Sequence, residues 1–105
     1  MIKSFIEKIP QNSRIAIFGA GNAGKGLKNY IDVNRKDIKI LYFFDSYAQG
    51  QVDGISIINS ADIDEHKNEF DLLVCATRRD LYYLVPLFDY IDINYIYITC
   101  FGKLE

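Results

Sequence analysis

The sequence predicts a single doubly wound α/β domain with a five-stranded, mainly parallel sheet and helices on both faces. Three observations carry this expectation. The chain has 105 residues, half of them hydrophobic and a quarter charged, the length and composition of one globular core. Short runs that are apolar throughout alternate with segments whose apolar residues recur every three or four positions. That alternation marks parallel strands covered by helices on both sides. The first such run also opens straight into a glycine turn at residues 19–24.

The elements follow in order. Ile2, Phe5, Ile6 and Ile9 lie at helical spacing, and Pro10 ends that helix. Arg14 to Phe18 is the first strand, and the residues after the glycine turn form a helix that presents Ala23, Leu27, Tyr30 and Ile31 on one face and fades near Asn34. Ile38 to Phe44 is the second strand, closed by Asp45; Ser46 to Gly54 is a polar loop; Ile55 to Ile58 is a short third strand. Ser60 is placed to cap a short acidic helix to about Lys67. Asp71 to Ala76 is the fourth strand, Asp80 to Ile91 a helix with Pro86 inside it, and Tyr95 to Ile98 the fifth strand. Residues 1–105 are therefore read as one domain without repeats or linkers. Leu104-Glu105 is also what cloning before an affinity tag leaves behind, and on that reading the domain was excised from a longer protein.

Composition narrows the function. A formal charge of -2 disfavours non-specific nucleic-acid binding, which draws on a basic excess. No run approaches the roughly 20 apolar residues of a membrane span, and the N-terminus lacks the pattern of a signal peptide. Two cysteines, Cys75 and Cys100, and one histidine, His66, fall short of a structural zinc site. Two buried thiols in a reducing cytoplasm are the expectation. His66 is expected to be solvated on its acidic helix.

The informative segment is Gly19-Ala20-Gly21-Asn22-Ala23-Gly24, after a strand and opening a helix. Gly19 permits the tight turn, Gly21 lets a phosphate approach the backbone, and Gly24 lets helix and strand pack closely. The helix N-terminus then offers bare amides and positive potential to an anion. Asp45 ends the second strand 21 residues after Gly24, where a carboxylate can accept a ribose diol and repel a 2′-phosphate, favouring NAD over NADP. The same glycines would also serve a turn that binds nothing. Gly19-x4-Gly24-Lys25 fits most of a P-loop, but the metal-ligating Ser or Thr is replaced by Gly26. An S-adenosylmethionine site is disfavoured by Ile17, where such sites usually carry an acid.

No Tyr-x-x-x-Lys pair and no Gly-x-Ser-x-Gly elbow is present, so the chain is expected to bind a nucleotide without completing a reaction alone. Thr77 and Arg78 follow the fourth strand and are placed to line the ligand crevice. The last helix carries Tyr83, Leu87 and Tyr90 as a second apolar face. That face, with Phe101, is expected to pack on another subunit or a missing domain.

With these residues laid out, the chain resembles the Rossmann-like domain of bacterial polysaccharide-biosynthesis proteins, the N-terminal module of nucleotide-sugar dehydratases, glycosyl-phosphate transferases and sugar acetyltransferases. The likeness rests on Ile15 to Lys25, Phe43-Phe44-Asp45-Ser46 and Gln49 to Ile57, with Asp71 to Ala76 as the next strand. The resemblance implies NAD or a UDP-sugar as ligand, with contacts at Gly19, Gly21, Asn22, Ala23, Gly24 and Asp45; Ala20 and Ser46, beside them in the chain, are also expected at the cofactor, and the protein is expected to be cytoplasmic. Ser46 stands where many members carry a second acid, and Ser56 replaces the proline after Gly54-Ile55. The alternatives are a dehydratase, epimerase or oxidoreductase whose catalytic part lies outside this chain, and a structural domain with an empty crevice.

Overall fold

The computed structural model describes residues 2–76 and 81–97. Helix α1 (Ile2–Glu7) precedes strand β1 (Arg14–Phe18), which leads into α2 (Asn22–Asn34) and β2 (Lys39–Asp45). A hairpin of β3 (Gln51–Val52) and β4 (Ile55–Asn59) follows, then a 3₁₀ turn (Ser60–Asp62), α3 (Ile63–His66), β5 (Leu72–Cys75), α4 (Leu81–Tyr90) and β6 (Tyr95–Tyr97). The sheet order is β3-β4-β2-β1-β5-β6. All pairings are parallel except β3 with β4.

Five parallel strands were expected and are present; the sixth is the two-residue β3, inside the stretch read as loop. Its cause is the Asp53-Gly54 doublet. Both residues have positive φ (51° and 81°), the geometry of a two-residue hairpin turn whose twist suits the flanking strands. The hairpin is tied down by Val52, which is buried against the core, and by Lys28 of α2, whose Nζ lies 2.6 Å from Asp32 and 3.8 Å from Asp53. The short helix also starts differently. Asn59 rather than Ser60 is the cap, its side chain accepting the Ala61 N–H at 2.9 Å.

The sheet separates two cores. One face packs Ile15, Ile17, Phe43 and Val74 against Phe5 and Ile6 of α1 and Leu27 and Ile31 of α2. The other packs Ala16, Phe18, Phe44, Leu73 and Cys75 against Ile63 of α3 and Phe88 of α4. A bulge in β2 breaks strict alternation: Ile15 pairs with Ile40 but Ala16 with Tyr42, so Leu41 and Tyr42 both face the second core. Cys75 is buried there, and burial pushes its thiol up to about 12, leaving it inert near neutrality. Cys100 lies outside the described residues.

His66, expected to be solvated, is only partly so. Its ring stands 5.5 Å from Tyr42, and its Nδ1 lies 3.0 Å from Glu69 Oε1, which also accepts the Tyr42 hydroxyl at 2.7 Å. Burial and Glu69 together push the Tyr42 phenol well above its ordinary range. The bulge carries Tyr42 to this position.

At the amino end of the sheet, Arg35 forks onto Asp37 (2.9 Å at each oxygen), and its Nη1 donates to the carbonyls of Ile6 (2.6 Å) and Ile9 (3.0 Å). This fastens α1 to the rest of the domain. Arg14 pairs with Asp71 at 2.9 Å beside it. Hydrogen bonds from Arg35 and Asn12 hold Asp37 below the usual carboxylate range; Arg14 does the same for Asp71, and Tyr42 with His66 for Glu69. Groups with depressed folded values stabilise above the unfolded carboxylate pKa, near about 4, and lose that contribution as pH falls through the folded values. Urea denaturation should therefore show stability falling below roughly pH 4. Asp37→Asn should flatten this acid limb, and an unchanged limb would remove Asp37 from it.

Candidate functional site

The connections run from β1 toward β2 on one side and from β4 across to β5 on the other. The topological switch point therefore lies at the carboxyl end of β1, where the glycine turn sits. Gly19 has φ 105°, a left-handed conformation that suits glycine, and its N–H donates to Phe44 O at 2.8 Å. Gly24 is fitted against the turn. A Cβ there would lie 1.8 Å from Gly19 O, a backbone atom that cannot yield. Gly21 is the opposite case: a Cβ would meet nothing within 4 Å, so the space above it is open. Gly21 caps α2 without a side-chain hydrogen bond, and the helix begins at Asn22. The three glycines thus divide into a turn, an opening and a packing contact, as their spacing predicted.

Asp45 does something the spacing did not reveal. Its Oδ2 accepts the Ala20 N–H at 2.9 Å, and its Oδ1 accepts the N–H groups of Tyr47 and Ala48, both at 2.8 Å. One carboxylate thereby laces the glycine turn to the loop after β2. Three of its acceptor positions serve the backbone, so the role the structure gives it is that of a positioning group. Ala20, expected at the cofactor, has its amide committed to Asp45, and Gly19 has its own committed to Phe44. The amides placed for an anion are those from Gly21 through Gly24 at the helix start, with Asn22 exposed and Ala23 half-buried beside them.

Ser46 is exposed, and its hydroxyl lies 2.6 Å from that of Ser60, linking the carboxyl ends of β2 and β4. Ser60 was read as a cap; its position at this edge follows from β4 pairing beside β2 and could not be taken from spacing. Lys25 is exposed in the first turn of α2. Thr77 and Arg78, expected to line the crevice, lie outside the described residues, as does Phe101. Tyr83 and Tyr90 are 78% and 87% exposed and Leu87 40%. Phe88 of the same helix is buried and Leu84 and Val85 pack on the core, so α4 does carry a second, outward apolar face.

A hollow of about 430 Å³ lies at the other end of the sheet, beside Pro10, Ser13, Asp71 and Asn94. Its carboxylate is already held by Arg14. Among the described residues no group of three or more His, Cys, Asp or Glu could hold a metal ion, and no helix is long and apolar enough to cross a membrane.

Gly24 and Gly21 separate by experiment. Gly24→Ala should destabilise the fold by about 3 kcal/mol or more, since helix and turn must part. Gly21→Ala should cost no more than about 1 kcal/mol, the scale of an altered cap. Denaturant midpoints measure both, and equal costs would contradict this division.

The fold is shared with several solved proteins. The diaminopimelate (DAP) dehydrogenase of C. glutamicum, solved with DAP, superposes with TM-score 0.66 at 23% identity, over 85% of this chain and 27% of its own. A Rex-family repressor, RSP, gives 0.70 at 16% identity over 88% of this chain and 47% of its own. UDP-D-quinovosamine 4-dehydrogenase from Vibrio fischeri gives 0.68 at 17% identity over 81% and 76%. The chain spans about a quarter of the dehydrogenase and about half of the repressor. These likenesses establish a Rossmann-like α/β fold. No curated protein matches the chain. Residues 11–82 match the family model described as C2185-like, N-terminal, and they include the glycine turn, Asp45, the hairpin and β5. This chain belongs to the C2185-like N-terminal domain family.

Proposed function

We propose that this domain binds a nucleotide through its diphosphate at the start of α2, with NAD the first expectation and a UDP-sugar the second. The observation that carries this reading is the contrast between Gly24, closed against Gly19 O, and Gly21, open to 4 Å and uncapped by any side chain. A turn serving only to reverse the chain needs the first contact but not the second. The donor set fits the group: consecutive amides of a 13-residue helix, oriented along its dipole. Gly21, Asn22, Ala23 and Gly24 would hold the diphosphate. Asp45 would fix the turn and place negative charge where a ribose lies, disfavouring a 2′-phosphate. Ser46, Thr77 and Arg78 remain proposed contacts.

Solved neighbours support the ligand class. RSP was solved with β-NADH, and an engineered D-amino acid dehydrogenase of the same fold with NADP+. When bound, a nicotinamide cofactor supplies hydride transfer; the described residues supply binding and orientation. The setting we propose is cytoplasmic bacterial polysaccharide biosynthesis, with the reaction completed by residues outside this chain. This follows the resemblance of the 43–46 and 49–57 segments together with the nucleotide-sugar dehydrogenase neighbour.

Titration calorimetry with NADH and UDP-sugars tests the reading. Gly21→Asp should abolish binding by filling the opening with an anion, and Asp45→Ala should weaken it by about 1.5–3 kcal/mol, the worth of hydrogen bonds to a charged group. Wild-type protein that binds none of these ligands would refute it.

The Tyr83, Leu87 and Tyr90 face is proposed as a protein contact, with a second copy of the domain or with a domain outside this chain. It rests on the exposure of three large side chains on one helix whose other face is core. Sedimentation at rising concentration should show association that Tyr90→Glu abolishes. A species monomeric throughout would exclude the second copy.

A further inference from the structure

Basic residues outnumber acids through residue 45, and acids outnumber basic residues beyond it. Helices α3 and α4 belong to that second part and cover the same face of the sheet. Asp62, Asp64, Glu65 and Glu69 stand in and around α3, and Asp89 and Asp92 at the end of α4. Among the described residues, the one lysine or arginine of this layer is Lys67, and its Nζ is held by Asp64 at 3.2 Å and by the Ile91 carbonyl at 3.3 Å. The apolar face of α4 lies between these acids. Leu87 and Tyr90 are exposed and three positions apart, so they are neighbours on the helix, and Tyr83 is exposed one turn earlier. Leu87 is on the flank turned toward α3, since Ile91, one turn on, is where Lys67 reaches. Asp89 is on the other flank, where its Oδ1 accepts the Tyr95 hydroxyl at 3.4 Å, and Asp92 stands two residues past the helix end.

We infer that this face docks an amphipathic helix from outside this chain, one with arginines beside its apolar residues. The proposal rests on the protein contact set out above and adds the partner's chemistry. Apolar side chains spaced three and four apart on α4 form a ridge that the groove of a second helix fits. The acids select the charge of that helix. A guanidinium both stacks on a tyrosine ring and forks onto a carboxylate, which a lysine ammonium does less well. A second copy bound through the same face would set Asp89 and Asp92 against the acids of its partner, and like charges across an interface cost affinity. The tyrosines and Leu87 then supply the contact, and the acids steer the partner and set its orientation.

Fluorescence anisotropy tests this with the full chain and two labelled synthetic peptides, both patterned as amphipathic helices, one of leucine and arginine and one of leucine and glutamate. The arginine peptide should bind and the glutamate peptide should not. Tyr90→Ser should weaken binding by about 5- to 30-fold, the range for an aromatic that anchors an interface. Asp89→Asn combined with Asp92→Asn keeps shape and removes charge; it should weaken binding and flatten its dependence on salt. An arginine peptide that binds Tyr90→Ser as well as wild type would overturn the docking site, because only diffuse attraction would remain. Equal binding of the two peptides would overturn the cationic partner and leave an apolar contact. Wild type that binds neither peptide would overturn the inference as well. Self-association in sedimentation would then assign the face to a second copy, and a monomer would remove the protein contact with it.

Discussion

One carboxylate organises the carboxyl edge of this domain. Asp45 ends β2, yet its oxygens serve the backbone on both sides of it, taking the amide of Ala20 in the glycine turn and those of Tyr47 and Ala48 in the next loop. Hydrogen bonds to a charged acceptor are stronger than neutral ones, and three of them on one group hold two loops in a single relation. The turn's first two amides are spent inside the protein, that of Gly19 on Phe44 O and that of Ala20 on Asp45. On the proposed reading, what remains for an anion is the helix start itself, a site whose neighbours are already satisfied.

Packing supplies the rest of that constraint. The second face of the glycine turn is fixed by the approach of α2 to the turn, where any side chain at Gly24 would strike the Gly19 carbonyl. The helix is held from behind by Leu27 and Ile31 in the first core and by Lys28, which reaches Asp53 in the hairpin. The hairpin, α2 and the turn therefore form one continuous body. At the far end Arg35 does comparable work, joining α1 to the loop after α2 through two carbonyls and Asp37. The open edge carrying Gly21 thus rests on elements fastened at both ends.

Much of this is legible in the residues. The bounds of β1 match those expected, because an apolar pentapeptide between a polar turn and a glycine has one reading. The turn at Gly19 and the close packing of Gly24 follow from their spacing. The edge strand Gln51–Val52 was missed because it is two residues long and half polar; the Asp53-Gly54 doublet was the signal that marked it. The contact between His66 and Tyr42 depends on a bulge that no periodicity in β2 displays, since an extra residue at Leu41 brings Tyr42 onto the His66 face. Asp45 was correctly placed at the strand end, but its partners are amides, which have no sequence signature.

The central claim is that a diphosphate enters at the amides of Gly21 to Gly24 while the Asp45 brace stays intact. Amide proton and nitrogen shifts, followed by NMR during titration with NADH, read both halves at once. The expected result is large shifts at Gly21, Asn22, Ala23 and Gly24, with the amides of Ala20, Tyr47 and Ala48 still protected from exchange by Asp45. Shifts confined to the Pro10–Ser13 hollow, or a turn whose amides do not respond at saturating ligand, would contradict it.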